Sequence, residues 1–508
     1  MSRAVTVKRA VFVKDLLLLW PLAALTVTLI LARALYDGDY SPAADYLPLA
    51  SALAAGLFVM GLVLQDAPAS LRHDWLTRPI SKFDLLSAKA LLAAAVVLAP
   101  AALGPALAAG RDGAPVDEAL LAAVGGMRTY LTLGFGLLVV AAVTSTLLEA
   151  IGLLIGLFLL FVFVPPVALQ ISGMQEGVLF LGSGWVVLGV LAAIALTGGV
   201  AVLWLQYGRR RTGAARGALA ATLAGFAVAL AGLNWDVVFA AQRAAARGDP
   251  AERAFTLALA PGCLETRWLG APPTSDQTEG PWSAEHQRRA GFGALAFWTA
   301  ARPQGLPEGW RVAVTHVAGE VRGAPGAEPV RLAPARFTPT WARRADGGVE
   351  ARHAWLTPRE RFGALSRTAR ELELDYKVAL LAPVHTAELA ADGRRRQLPG
   401  LGSCVATPRP GGAIEVSCFK AGRQPDLLTA RPPGAGADLE AIGGWPSFAP
   451  DLLQLTAGKR HQMVVSRSEA TGAPRVVVTA YEARAHVERH VRIPGLLGGP
   501  ACRPAEPA

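Results

Sequence analysis

Charge is scarce in this chain. Only 17% of its 508 residues are Asp, Glu, Lys or Arg, against about 25% in a soluble globular protein. Together with a mean hydropathy of +0.36, this excludes an ordinary soluble protein over the whole length. Cysteine is scarce too, with Cys263, Cys404, Cys418 and Cys502 all in the C-terminal half. No G-x-x-x-x-G-K-[ST] loop occurs, so the chain has no P-loop with which to bind and hydrolyse ATP. A G-x-S-x-G elbow or comparable nucleophile motif is also missing. Acids inside the apolar runs, which mark proton or ion relays, are nearly absent; Glu149 is the sole charge between Thr129 and Gln170. No catalytic residue, resident cofactor or nucleic-acid partner is expected.

The apolar residues are unevenly distributed. From Asp15 to Trp235 long apolar runs follow one another, and beyond Asp236 charges, prolines and glycines are scattered throughout. A bilayer core of about 30 Å needs roughly 20 apolar residues per helix. Candidate spans are Leu16 to Leu31, Tyr46 to Leu64, Leu86 to Ala109, two from Thr129 to Leu169 broken near Ser145 to Glu149, Phe180 to Leu205, and Ala218 to Trp235. The seventh, rich in Ala and Gly, either crosses or lies in the interface. Arg3 to Lys14 followed by Ala32-Arg33-Ala34 resembles a signal peptide, but the apolar run is long for one, so an uncleaved first helix is expected.

Lysine and arginine set the expected orientation. Arg3, Lys8, Arg9, Lys14, Arg72, Arg78, Lys82, Lys89, Arg209, Arg210, Arg211 and Arg216 fall on one side, while the opposite loops carry only Arg33, Arg111 and Arg128 alongside Asp37, Asp39, Asp45, Asp112, Asp117 and Glu118. The N-terminus is therefore expected in the cytoplasm, and seven spans place the C-terminal region outside. Four cysteines confined to that exterior suit an oxidising compartment, although four unpaired buried thiols would fit the sequence as well.

The polar stretch Gln65 to Lys89, QDAPASLRHDWLTRPISKFDLLSAK, is too long for a bare turn. Pro68 and Ser70 can start a short helix on which Leu71, Trp75 and Leu76 share a face, with Arg72 and Asp74 turned to water or a partner. Arg78-Pro79 ends it. Ser81 can cap the next helix, with Asp84 three positions on, and Lys89 is placed to snorkel at the interface. A solvated amphipathic loop, with Trp75 at the headgroups, is the competing reading.

Trp75, Leu76, Thr77, Arg78, Pro79, Ile80, Ser81, Leu85, Leu86 and Lys89 together resemble the permease subunits of the ABC type-2 exporter family. The resemblance covers roughly residues 7–211. It implies that the segment is a coupling helix docking on a separate ATP-binding subunit, with Arg72, Asp74, Trp75, Leu76, Thr77, Arg78, Pro79 and Ser81 at the contact. It also implies two permeases, as a homodimer or a pair, working with two ATPases. The departures are a seventh span, a short link from Ser172 to Gly182, and about 270 residues beyond the six-span core.

Beyond Trp310 strand patterns dominate. Leu372, Leu374, Tyr376, Val378 and Leu380 alternate with their neighbours, as do Ile414, Val416 and Cys418, and Tyr481, Ala483, Ala485 and Val487. A hairpin centred on Gly411 would set Cys404 opposite Cys418, leaving Cys263 to Cys502; the other two connectivities stay open. His486 and His490 fall on a strand, where residues four apart lie about 13 Å apart, too far to hold one metal ion. No metal site is expected. Arg394-Arg395-Arg396 reads as an exposed turn, with anionic headgroups as a conceivable contact.

The expected architecture is thus a six-span membrane domain over 1–212 with a cytoplasmic segment at 65–89, a seventh span over 213–236, and a mainly β extracytoplasmic domain over 237–508, sandwich-like in one form. The expected function is an exporter permease of the bacterial inner membrane, in contact with membrane lipids and moving an amphipathic or hydrophobic cargo. A non-transporting anchor or sensor whose β domain binds an envelope component is the alternative, and an integral membrane enzyme is the third reading.

Overall fold

The computed structural model describes residues 3–36, 42–66, 82–171, 184–246, 248–259, 265–268, 294–323, 329–334, 340–343, 349–358, 371–434, 441–442, 455–465 and 475–494. Ten helices lead: α1 (Arg3–Leu35), α2 (Pro42–Leu64), α3 (Lys82–Ala93), α4 (Ala99–Arg111), α5 (Val116–Val143), α6 (Leu147–Ile171), α7 (Gly184–Leu203), α8 (Thr212–Gly232), α9 (Trp235–Ala245) and α10 (Ala251–Ala254). A π-helical turn, Ala94–Leu98, fuses α3 to α4. Its cause is local, because Pro100 has no N–H to return to the Val96 carbonyl four residues back.

Among the described residues, six helical stretches are long and apolar enough to cross a membrane: Lys8–Leu35, Tyr46–Leu64, Asp84–Arg111, Val116–Val143, Trp185–Gly208 and Thr212–Gly232. The apolar stretch in α6, Leu147–Leu159, is shorter by that measure, although the helix itself runs for 25 residues. The expected break between the fourth and fifth spans is present. Thr144 is extended, Thr146 Oγ1 accepts from Glu149 N at 3.2 Å, and the Glu149 carboxylate accepts from Ser145 N at 2.7 Å. Together these cap the start of α6 as a variant of the capping box, with the Glu149 carboxylate reaching one residue beyond the N-cap Thr146.

Small residues let the helices approach closely. Gly104 lies against Ala34 of α1, Gly126 against the Ala101 backbone of α4, and Gly198 against Thr222 of α8. Phe58, Leu62, Leu92, Val96 and Ile30 fill the centre of the first group of helices. Leu17, Leu18, Trp20, Leu148 and Phe158 point outward and are exposed, as on a lipid-facing surface.

The strands are β1 (Thr256–Leu259), β2 (Glu265–Trp268), β3 (Ala294–Gln304), β4 (Arg311–Arg322), β5 (Val330–Pro334), β6 (Thr340–Arg343), β7 (Val349–Pro358), β8 (Glu371–Ala390), β9 (Arg396–Leu398), β10 (Gly402–Pro408), β11 (Ile414–Arg423), β12 (Leu427–Arg431), β13 (Ala441–Ile442), β14 (Leu455–Val465) and β15 (Arg475–Pro494). They build an 11-stranded sheet in the order β1-β3-β7-β5-β4-β8-β15-β12-β13, with β2 and β6 attached to β3 and β7, and a four-stranded sheet in the order β14-β11-β10-β9. All the pairings are antiparallel.

Strands β8 and β15, each 20 residues long, pair along their whole length and carry two separate cores. One gathers Phe255, Val314, Val321, Leu374, Tyr376, Leu380 and Val487. The other gathers Leu389, Cys404, Val416, Cys418, Val465, Val478 and Ala480. Between them the ribbon carries two bulges, at Val384 of β8 beside Tyr481 and at Arg484 of β15, where it bends. Buried Asp426 holds the bend, accepting from Ala483 N at 2.7 Å and donating its own N–H to the Tyr481 carbonyl at 3.0 Å.

Cys404 and Cys418 face each other in the β10–β11 hairpin and are joined by a disulfide. Cys263 and Cys502 lie outside the described residues. Replacing both hairpin cysteines with serine is expected to lower the unfolding free energy by about 3 kcal/mol, the value for closing a loop of this size. Chemical denaturation of the oxidised wild type and of the double variant measures it.

Candidate functional site

Four charged side chains, two from α1, one from the turn after α2 and one from α3, meet at one end of the bundle. Asp15 lies within α1 and is fully buried; Lys14 precedes it. Asp66 stands in the turn just after α2, and Lys89 two turns into α3, only 8% exposed. The Lys89 ammonium lies 2.8 Å from Asp66 and 3.8 Å from Asp15. Lys14 lies 3.1 Å from Asp15 and 3.6 Å from Asp66. Lys8 of α1 and Asp84 of α3 pair at 3.4 Å, a further tie between those helices.

The end of α2 explains why Lys89 turns inward. Gln65 N still bonds the Gly61 carbonyl, but Asp66 N tightens onto Val63. The Leu62 carbonyl thereby loses its helical donor, and the Lys89 ammonium donates to it instead. A cation there also meets the negative end of the helix dipole. The snorkelling geometry expected for Lys89 is therefore corrected. Its ammonium is more favourably placed against two carboxylates and a vacant carbonyl than in the interface.

The quartet is neutral, with two acids and two lysines. Burial pushes the Asp66 carboxyl up, but Lys89 and Lys14 outweigh it and hold the group below its ordinary value. Both Asp15 carboxylate oxygens are buried without a hydrogen bond among the described residues, as are the Gln65 amide atoms. Ion pairing alone therefore offsets the desolvation of Asp15.

The geometry closes a loop. Asp66 and Lys89 stand at the two ends of the polar segment 65–89, so their ion pair pins its base, and Asp15 and Lys14 fasten that base to α1. Leu85 supports the same contact by packing with Val11 of α1. Arg72, Asp74, Trp75, Leu76, Thr77, Arg78, Pro79 and Ser81 lie outside the described residues. Sequence reasoning missed Asp15 and Asp66. The available signal was two acids at the edges of the first two spans, level with Lys14 and Lys89. A second pair at this end joins Glu149 of α6 to Arg216 of α8, and Arg216 also donates to the Val143 carbonyl at 3.2 Å.

The opposite end of the bundle meets the β domain. There Asp112 is 2.6 Å from Arg395 and Glu118 is 3.3 Å from Lys420. Arg395 of the arginine cluster thus contacts the bundle itself. Elsewhere in the β domain a polar row crosses three strands, where His316, Lys377 and Glu488 are direct neighbours on β4, β8 and β15. Lys377 is buried, pairs with Asp236 of α9 and lies 3.5 Å from Glu488. Its ammonium sits 5.5 Å from the Phe239 ring, which in turn meets His486 edge-on at 6.2 Å.

Burial lowers the pKa of His486 to about 4. Burial also lowers His316 to about 4, helped by Lys377 and opposed by Asp236 and Asp375. Both groups bind protons more readily in the unfolded chain, whose histidines titrate near 6.5. Stability is therefore expected to fall as pH drops from about 6.5 towards 4. Thermal midpoints of the full chain across that range test this, and His486→Asn should flatten the slope.

No group of three or more His, Cys, Asp or Glu among the described residues could hold a metal ion. His486 and His490 both fall on β15, as expected, and His490 pairs with Asp375. Comparison with protein-family models, with curated proteins and with solved structures found no match to this chain.

Proposed function

We propose that the chain is the permease subunit of an ABC-type exporter in the bacterial inner membrane. A separate ATP-binding subunit docks on the segment 65–89 through Arg72, Asp74, Trp75, Leu76, Thr77, Arg78, Pro79 and Ser81. Two permeases pair in the working complex, and the cargo is amphipathic or hydrophobic. The observation that carries the reading is the pinned base of this segment, where Lys89 binds Asp66 and Asp15. A loop merely lying on lipid has no need of a buried ion quartet beneath it. Fastened to α1, α2 and α3 at once, a segment pushed by a partner would move three helices together.

The orientation follows from the same end. Lys14, Lys89, Arg209 and Arg216 gather there, and the positive-inside rule assigns that end to the cytoplasm. The β domain, at the opposite end with the disulfide between Cys404 and Cys418, is then extracytoplasmic. The test is a gentle-detergent pull-down from native membranes, comparing wild type with a Trp75→Ala, Arg78→Glu double variant. An ATP-binding subunit should come down with wild type and be lost from the variant, while membrane insertion stays unchanged. If well-folded wild type brings down no ATPase, the exporter reading fails in favour of a membrane anchor whose β domain binds an envelope component.

A further inference from the structure

Among the described residues the β domain touches the bundle at two places, and the two places belong to different helices. One foot stands on α4 and α5. Phe419 of β11 packs among Ala109, Ala114, Ala119 and Ala122, flanked by the Asp112–Arg395 and Glu118–Lys420 pairs. Asp112 keeps only 5% of its side chain exposed, so this pair is largely shielded from solvent. The other foot is α9. Val238 of α9 packs with Val186 and Val187 of α7, with Leu230 of α8 and with Leu233 just after it. The same short helix holds the sheet through Asp236 on Lys377 and Phe239 on His486. Its start is fixed by the Asn234 side chain, which accepts from Val237 N at 2.9 Å.

A continuous path of packed strands joins the feet. Lys377 and His486 lie in the halves of β8 and β15 that carry one core, and Leu389, Val476 and Val478 lie in the halves that carry the other. That second core includes Val416 and Cys418 of β11, next to Phe419 and Lys420 of the first foot. From Lys377 to Leu389 the ribbon extends about 40 Å at 3.3 Å per residue. Its bend is braced by Asp426, and the second core is cross-linked by the disulfide. Such a body transmits displacement rather than absorbing it, because close-packed interiors are bistable and stiff.

We propose that the β domain is a strap across this end of the bundle, limiting how far the ends of α4 and α5 can separate from those of α7, α8 and α9. A substrate path that opened between these two groups of helices would have to flex the ribbon at its bulges or lift one foot. The inference stands on these contacts and does not depend on the exporter reading.

Amide hydrogen exchange of the full chain in lipid nanodiscs tests it. Removing one foot's charges with Asp112→Asn and Glu118→Gln should speed exchange about tenfold at 105–122, and measurably at the untouched α9, residues 235–245. Asp236→Asn, an exposed change at the other foot, should do the reverse and loosen 105–122. Reversing both pairs (Asp112→Arg with Arg395→Asp, Glu118→Lys with Lys420→Glu) should restore protection at both feet. If each variant loosens only its own foot, the feet are independent and the strap is refuted. Loss of the fold in the first variant leaves Asp236→Asn to decide between the same two outcomes.

Discussion

Lys89→Met is expected to lower the stability of the purified chain by about 3–5 kcal/mol, the cost of stranding buried carboxylates without their partner. Asp15 and Asp66 would share the half-exposed Lys14 alone, and the Leu62 carbonyl would lose its donor. Denaturant unfolding in detergent measures the loss. A charge-free triple variant, Lys89→Met with Asp15→Asn and Asp66→Asn, should recover much of it, because removing every member of an ionic group costs less than removing one. The pH dependence supplies a second reading. In wild type Asp66 is held below its ordinary value of 3.8, so its contribution is present above that pH and is lost as pH falls through the lower, folded value. Without Lys89, burial raises the carboxyl and less opposes it, and acid destabilisation should begin at higher pH. A Lys89→Met protein with unchanged stability and an unchanged acid limb would remove the quartet from consideration as the base of the docking segment.

Gly126→Ala is expected to be comparably damaging for a steric reason. A Cβ on Gly126 would lie 2.1 Å from the Ala101 carbonyl oxygen and 2.8 Å from the Pro105 ring. Neither obstacle is a flexible side-chain end, so α4 and α5 must move apart, at a cost of about 3 kcal/mol or more. Movement there would also lift Ala122 from Phe419 and loosen the first foot of the β domain. Gly136 on the same helix is the control, since a Cβ there meets nothing within 4 Å. Gly136→Ala should be neutral or stabilising by up to about 1 kcal/mol through helix propensity. Thermal midpoints of the two variants should therefore move apart, and similar midpoints would contradict the close packing of α4 on α5.

Much of the membrane half was legible because hydropathy is a local property. Tyr46 to Leu64 and the break at Ser145 to Glu149 stand where expected, since a long apolar run and a capping sequence act through near neighbours. The strands β8, β11 and β15 were legible for the same reason, through alternation. Helix α5 was not: it begins at Val116, well before the apolar stretch at Thr129. Its first turns hold Asp117, Glu118 and small residues, and Ala122, Gly125 and Gly126 are buried against protein. A helix end covered by its own chain need not be as apolar as one covered by lipid.

The amino-acid order by itself thus determined most of the apolar helices, the strands β8, β11 and β15, and that Cys404 can face Cys418 across a hairpin. Those features depend on residues a few positions apart, whose spacing the chain carries directly. Only the tertiary structure brought Asp15, Asp66 and Lys89 together, turned Lys89 inward, and set Asp112 on Arg395 and Asp236 on Lys377. Those partners are separated by tens to hundreds of positions, and no local pattern encodes which of many acids a given lysine will meet. Packing decides it, because a buried charge is tolerable only where the fold delivers its counter-charge.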